Sequence, residues 1–252
     1  MFRQACIIFL GIPDPSIREG DVCCVCELHP PLVPDEALTH MWACTSHSCV
    51  PPHNIMGAAM DDIYSGLPGS VLIVNEKRNC PAEGCRMDKV IWGVTGAEGR
   101  RILQDQTIIN PAGAQHVGAA CATANAAATK AYQEKLNRYN HLIDTQVDLF
   151  FPVPIELFGG VYATVVEQLK TWAREKAKMH GSGRGEGALA NRILQGWRRH
   201  LALALMKARV EFYSLALQRC VEPTAEQRRK KFGRSMLGRV HKPSASIRWG
   251  TG

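Results

Sequence analysis

The sequence predicts an α/β fold in which a short mixed sheet is flanked by helices. Over residues 54–178, helical and strand-like patterns follow one another in the order helix, three strands, helix, strand, helix. Such an order typically builds one sheet covered by helices. Of the 252 residues, 46% are hydrophobic and 21% are charged, which is the composition of an ordinary globular protein and excludes collagen-like, coiled-coil or wholly disordered chains.

Each element is predicted from its own local pattern. Apolar or alternating runs predict strands at 70–75, 89–94, 101–109 and 147–157. Helical spacing and composition predict helices at 54–64, 119–142, 161–178 and 188–219. The first helix follows a proline entry, the third strand ends at Asn110 and Pro111, and the prolines of 147–157 indicate an edge strand or a strand end.

The chain divides into four parts. An N-terminal helix and a cysteine-rich segment occupy residues 1–53, the α/β core 54–180, a C-terminal helix 188–219 and a basic tail 220–252. The glycine-rich linker at 181–187 lacks the lysine and hydroxyl ending of a phosphate-binding loop. The apolar run at 5–10 is too short for a membrane span and poorly flanked for a signal peptide, so we expect an intracellular protein with no membrane partner.

Most of the positive charge lies in the basic tail. From Cys220 onward there are eight Lys and Arg residues against Glu222 and Glu226, which accounts for +6 of the net charge of +7. Such a block is usually a solvated tail, but it can also bind phosphates through counterion release. The candidate nucleic-acid-binding residues are Arg228, Arg229, Lys230, Lys231 and Arg234.

Clustered cysteines predict a structural zinc site near the N-terminus. Six of the ten cysteines lie between Cys6 and Cys49. Within this stretch, Cys23-x2-Cys26 and His40-x3-Cys44 are separated by thirteen residues and supply the four ligands that tetrahedral zinc requires. The alternative ligands are Cys24, His29, His47 and Cys49, and the alternative interpretation is a set of buried free cysteines.

Two aspartates in neighbouring strands form the candidate catalytic centre. Asp88 opens one strand and Asp105 lies inside the next, and a hairpin with its loop at 95–100 would let the two carboxylates converge. A charged group inside an apolar strand is costly unless it is paired or binds a metal. Two carboxylates with water and substrate phosphates form a common Mg²⁺ site, which would activate a bound water. Alternatively, Asp105 faces solvent on a half-exposed strand.

Lys135 and Tyr139 lie one turn apart on the following helix and therefore share a face. A lysine beside the metal could position the attacking water or stabilise developing negative charge. The more common role of such a lysine on an Ala-rich helix is simply to be solvated.

The order of these motifs resembles the C-terminal region of early-branching non-long-terminal-repeat retrotransposon polyproteins, which carry a zinc knuckle followed by a restriction-like endonuclease. Pro-His-Asn at 52–54 is similar to the family's Arg-His-Asn, and Arg-Met-Asp at 86–88 to its Arg-Pro-Asp. The other similar segments are 2–13, 23–44, 102–108, 134–139 and 151–160.

The resemblance implies a restriction-endonuclease-like fold that nicks DNA with Mg²⁺ or Mn²⁺, so that reverse transcription can begin at the target. Asp88 and Asp105 would bind the metal, Lys135 would assist catalysis and Tyr139 would support the site. Nucleic acid, DNA or also RNA, would be the partner rather than a small molecule, and the nucleus would be the compartment.

Two positions depart from the family's pattern. Met87 replaces the proline before the first acid, and Thr107 stands where many nucleases of this fold keep a lysine, which this retrotransposon group carries on the helix instead. No Tyr-x-Asp-Asp motif of a reverse transcriptase is present. These departures motivate a second hypothesis, a domesticated and inactive nucleic-acid-binding or structural subunit of a ribonucleoprotein such as a mitochondrial ribosome, located in that organelle or another. A third hypothesis, a small zinc-dependent regulatory DNA binder, leaves the sheet and long helices without a role.

Overall fold

The computed structural model of the protein describes residues 50–69, 71–74, 87–95, 97–113, 115–180 and 185–221. The predicted N-terminal helix and zinc ligands lie outside these residues, as does the basic tail. The predicted residues concerned are Cys23, Cys26, His40, Cys44, Arg228, Arg229, Lys230, Lys231 and Arg234.

A mixed sheet of four strands forms the centre of the described structure. The strands lie in the order β1 (Leu72–Val74), β2 (Lys89–Trp92), β3 (Arg101–Ile109) and β4 (Asp148–Glu156). β2 pairs antiparallel with β1 and with β3, whereas β3 and β4 run parallel. The prediction of a mixed sheet flanked by helices is therefore confirmed. β4 is an edge strand of this sheet, as its prolines predicted, with Pro152 opposite Asp105 and Pro154 opposite Thr107.

Five α-helices surround the sheet in the described part of the chain. They are α1 (Val50–Ser65), α2 (Val117–Ala122), α3 (Ala126–Tyr139), α4 (Ala163–His180) and α5 (Glu186–Val221), and a single 3₁₀ turn, Asn140–Leu142, follows α3. None of these helices is both long and apolar enough to cross a membrane.

The single helix predicted over 119–142 is wrong, because the chain breaks between α2 and α3. Thr123 is extended at φ −140° and ψ 126°, and Asn125 adopts the left-handed conformation at φ 60°. Asparagine tolerates this conformation better than most residues. The break starts a new helix at Ala126, and this new helix carries Lys135.

α1 begins earlier than its apolar pattern indicated, since Pro51 and Pro52 lie in its first turn. Prolines are tolerated there because the first N–H groups of a helix have no intrahelical partner. The buried side of α1 includes Met56, Met60 and Ile63, which pack against the sheet.

Helices cover both faces of the sheet. α1, α4 and α5 share one core with Ile91 and Ile102, in which Trp172 contacts Tyr64 and Phe151 edge-to-face at 5.4 and 5.5 Å. On the opposite face, α3 buries Ala127 and Ala131 against Ile109, the last residue of β3. Successive residues of a strand point to opposite faces. Even-numbered residues of β3, such as Ile102, therefore face α1, and odd-numbered residues, such as Ile109, face α3.

Candidate active site

The carboxyl groups of Asp88 and Asp105 come together at one end of the β2–β3 hairpin. Lys89, the first residue of β2, pairs with Gln104 of β3, and Asp88 directly precedes this pair. The Asp88 backbone N–H donates to the Gln104 carbonyl at 3.0 Å, so Asp88 also lies against Gln104 and departs from the regular ladder. Its carboxyl group is close enough to hydrogen-bond with that of Asp105, and each changes the pKa of the other.

Asp88 is held by two donors on one oxygen. Its Oδ2 accepts a hydrogen bond from His53 Nε2 at 3.0 Å and another from the Gln106 backbone N–H at 2.7 Å. Burial acts to raise the pKa of Asp88, but the bonds from His53 and Gln106 outweigh burial and hold the pKa below its ordinary value. Asp88 is therefore kept as a carboxylate.

Asp105 forms an ion pair with a lysine of α3, the helix on the face of the sheet opposite α1. Lys135 Nζ lies 2.6 Å from Asp105 Oδ2, and the side chains are only 17% and 10% exposed. Burial raises the pKa of Asp105, Lys135 opposes this effect, and the negative charge of Asp88 adds to the increase. The pKa values of the two acids are thus shifted in opposite directions, a pattern that recurs where two carboxyl groups have different roles.

A polar layer under α1 supports the two acids. Tyr64 donates to Gln104 Oε1 at 2.6 Å, and the Gln106 side chain donates to the His53 carbonyl oxygen. Gln104 is fully buried and Gln106 is 3% exposed. Buried polar groups require such partners, so this layer fixes the position of α1 on β3.

A second polar contact anchors α1 to β2. Lys89 is 4% exposed, and its ammonium group forms an ion pair with Asp61 of α1. The residue that follows Asp88 is therefore tied to the same helix that presents His53.

His53 and Gln106 were not assigned to this site from the sequence. The polar run Gln104-Asp105-Gln106 in an otherwise apolar strand is the signal that could have indicated Gln106. The contact between His53 and Asp88 spans 35 residues and has no local signature.

Tyr139 lies one turn beyond Lys135 and packs into an apolar cluster. Its ring meets Phe150 edge-to-face at 5.6 Å, and the cluster also contains Met87, Val90 and Leu103. The structure thus brings Asp88, Asp105 and Lys135 together through polar contacts, while Tyr139 packs α3 against the sheet.

The donor chemistry of the acid pair fits a hard divalent cation. Mg²⁺ is usually bound by one or two carboxylates, with waters and substrate phosphates completing its coordination. Within the described ranges, no group of three or more His, Cys, Asp and Glu side chains is arranged to hold a metal ion. An ion at Asp88 and Asp105 would consequently take its remaining ligands from water and substrate.

In comparisons with known proteins, the chain matches no protein-family model, no curated protein and no solved structure.

Proposed function

We propose that the protein is a restriction-like, divalent-metal-dependent DNA endonuclease of retrotransposon origin. The convergence of Asp88, Asp105 and Lys135 carries this proposal. Asp88 lies directly before β2, Asp105 on β3 and Lys135 on α3, so three separate segments of the chain contribute to one site.

The order of the elements also supports the proposal. The resemblance implied a first helix, a hairpin bearing the two acids, a helix bearing the lysine and a further strand. The described chain has this order in α1, β2, β3, α3 and β4. The helix position of the lysine is the variation for which the retrotransposon group is known.

In the proposed reaction, Asp88 and Asp105 would hold the cation. When bound, the ion would lower the pKa of a water molecule and neutralise charge on the scissile phosphodiester. Lys135 lies beside Asp105 and would offer its ammonium group to a phosphate oxygen as negative charge develops. The His53 side chain is 33% exposed, so solvent and substrate have access from that side.

The polyanionic partner is proposed from charge. Eight Lys and Arg residues from Cys220 onward would bind the DNA backbone without sequence preference. Base-edge contacts, which specify a sequence, need not involve this tail.

The proposal is tested by nicking of supercoiled plasmid DNA in Mg²⁺ or Mn²⁺. We expect Asp88→Asn and Asp105→Asn each to lower the nicking rate by at least about 10²-fold, since each removes charge from the ion's site. Asp62→Asn is the matched control, because Asp62 lies on α1 with a side chain that is 70% exposed. Full activity in Asp105→Asn would refute the assigned site.

A second candidate function is a non-catalytic nucleic-acid-binding subunit derived from such an enzyme. The observation in its favour is that Lys135 already neutralises Asp105, so the acid pair is satisfied without an ion. This function predicts binding to RNA or DNA with no nicking in either metal. It further predicts that a chain ending at residue 221 binds more weakly, with a smaller dependence on salt, because the tail's phosphate contacts are lost.

A further inference from the structure

We propose that His53 is a positioning residue for Asp88, which together with Gln106 holds one carboxylate oxygen so that the other is directed to a divalent cation. This inference rests on the proposed function, because it concerns how the metal-binding acid is oriented.

The geometry at Asp88 assigns the two oxygens different roles. His53 Nε2 and the Gln106 backbone N–H both reach Oδ2, at 3.0 and 2.7 Å. A carboxylate oxygen has two lone-pair directions, so these two donors occupy both directions of Oδ2. The remaining oxygen, Oδ1, is then the one that can meet an ion shared with Asp105.

His53 is itself held in place, which allows it to orient another group. It lies in the first turn of α1, and its carbonyl oxygen accepts a hydrogen bond from the Gln106 side chain. Gly57 lies one turn later, and a methyl group there would be 3.6 Å from both Gln106 and Lys89. α1 therefore lies within ordinary van der Waals reach of β2 and β3 at the point where it presents the imidazole.

Gln106 closes the arrangement into a ring. Its backbone N–H binds Asp88, its side chain binds the backbone of His53, and the imidazole of His53 binds Asp88. Each member is fixed by the other two, so the carboxylate of Asp88 does not depend on an ion for its orientation. Groups that hydrogen-bond a metal ligand in this manner typically contribute about 10–100-fold to metal affinity or activity.

The test measures Mn²⁺ binding to the full chain without DNA. Calorimetry and the electron-spin-resonance signal of free Mn²⁺ both report this binding. Only the binding that is lost in Asp105→Asn is counted, so sites elsewhere in the chain do not contribute. We expect His53→Leu, which removes the donor at similar size, to weaken this binding by about 10–100-fold. His53→Gln places an amide N–H near the position of Nε2, and we expect it to restore affinity to within about threefold of the original chain.

Thermal unfolding of each variant separates folding from positioning. If His53→Leu does not fold, His53→Asn replaces it, because its shorter amide cannot reach Asp88 and it should bind Mn²⁺ as weakly as expected for the leucine variant. Unchanged Mn²⁺ affinity in the folded variant that lacks the donor would overturn the positioning role of His53 but not the proposed function. The same conclusion would follow if His53→Gln bound Mn²⁺ as weakly as His53→Leu. Absence of any Mn²⁺ binding that depends on Asp105 would instead overturn the proposed function and this inference together.

Discussion

Lys135 Nζ lies 2.6 Å from Asp105 Oδ2, although the two residues belong to a helix and a strand that are separated along the chain by the break between α2 and α3. Both side chains are largely buried. A buried charge is tolerated only when it is paired, so this contact fixes how α3 lies on the sheet.

Replacing Lys135 tests whether this ion pair serves chemistry as well as packing. In Lys135→Met we expect the nicking rate to fall by about 10²–10³-fold, because the cation near the reacting phosphate is lost. We expect the free energy of unfolding to fall by about 3 kcal/mol, since Asp105 would remain buried without its partner. The measurements are plasmid nicking and urea denaturation.

Lys130→Met is the matched control for this prediction. Lys130 lies on the same helix, its side chain is 52% exposed, and its distance from Glu134 is 4.0 Å. Exposed pairs of this kind contribute little, so we expect less than about a twofold change in rate and under about 0.5 kcal/mol in stability. Equal losses in the two lysine variants would contradict a specific role for Lys135.

Asp88 should make the stability of the protein depend on pH in acid. The folded state lowers the pKa of Asp88 from 3.8, because the His53 and Gln106 bonds outweigh burial. A lowered carboxyl pKa contributes stability that is complete above the unfolded value and is lost as the pH falls through the folded value. We therefore expect Asp88→Asn to be less stable than the original chain at pH 7, by about 1–3 kcal/mol, and this difference to diminish as the pH falls below 3.8 and through the lowered pKa of the folded state.

Urea denaturation at several pH values, from 7 to well below 3.8, would measure this difference. Asp62→Asn serves as the control, since Asp62 is largely exposed and we expect its variant to remain parallel to the original chain. A difference between Asp88→Asn and the original chain that stays constant well below pH 3.8, while both chains remain folded without urea, would show that the carboxylate's charge is not what these hydrogen bonds stabilise.

Local patterns were sufficient to predict much of this fold. β3 begins and ends at the predicted residues, Arg101 and Ile109, because an apolar run bounded by turn residues is a strong local signal. The length of the hairpin also led to the expectation that the carboxylates of Asp88 and Asp105 converge. The break before α3 was missed because the Ala-rich composition on both sides outweighed the single left-handed residue, Asn125.

The contacts made by α1 could not be predicted in the same way. The buried ion pair between Lys89 and Asp61 and the hydrogen bond from His53 to Asp88 join residues 28 and 35 positions apart. Such contacts depend on how a helix lies on a sheet. The hydrophobic periodicity of a sequence does not indicate this placement. They account for most of what the sequence left unassigned at the candidate site.

Tyr64→Phe tests the polar layer beneath α1. Tyr64 is fully buried and donates to Gln104 Oε1 at 2.6 Å. Burial, followed by the nearby charge of Asp61, raises the pKa of Tyr64 well above 10.0, so the phenol remains a donor at ordinary pH. We expect a loss of about 1–3 kcal/mol in the free energy of unfolding, because a buried acceptor is left without its partner.

The comparison for Tyr64→Phe is Tyr132→Phe. Tyr132 is only partly buried and stacks on Tyr162, with ring centroids 4.2 Å apart. Its phenol hydrogen-bonds the Thr164 side chain. Water can replace this bond at a partly buried position, so we expect a smaller loss, measured by the same urea denaturation. If Tyr132→Phe lost as much stability as Tyr64→Phe, the loss of a partner for a buried acceptor would not be the cause of the Tyr64 effect.

Gly160 and Gly196 should respond to alanine with opposite signs. A Cβ at Gly160 would lie 2.6 Å from Glu156 Oε2 and would also collide with Asn125 Oδ1. Glu156 binds the Ala128 backbone N–H at the start of α3, so we expect Gly160→Ala to displace this contact and to cost about 1–3 kcal/mol.

Gly196 lies inside α5 with open space where a Cβ would be, so we expect Gly196→Ala to stabilise the protein by about 0.5–1 kcal/mol. Thermal unfolding compares the two variants directly. If both variants were stabilised, the side chains of Asn125 and Glu156 would have to move aside for the new methyl group without loss of stability.

The outer side of β4 has a consequence for self-association. Leu157 donates its backbone N–H to Ile109, so the odd-numbered amides of this strand point to β3 and the even-numbered amides point outward. Among the outward positions, Pro152 and Pro154 carry no N–H, while Asp148 and Glu156 donate to the carbonyls of Asp144 and Gly160. Only Phe150 in β4 is left to offer an outward N–H, so a strand from another molecule would find few hydrogen-bond donors along this edge. Amyloid-like stacking of protomers through this border is therefore disfavoured.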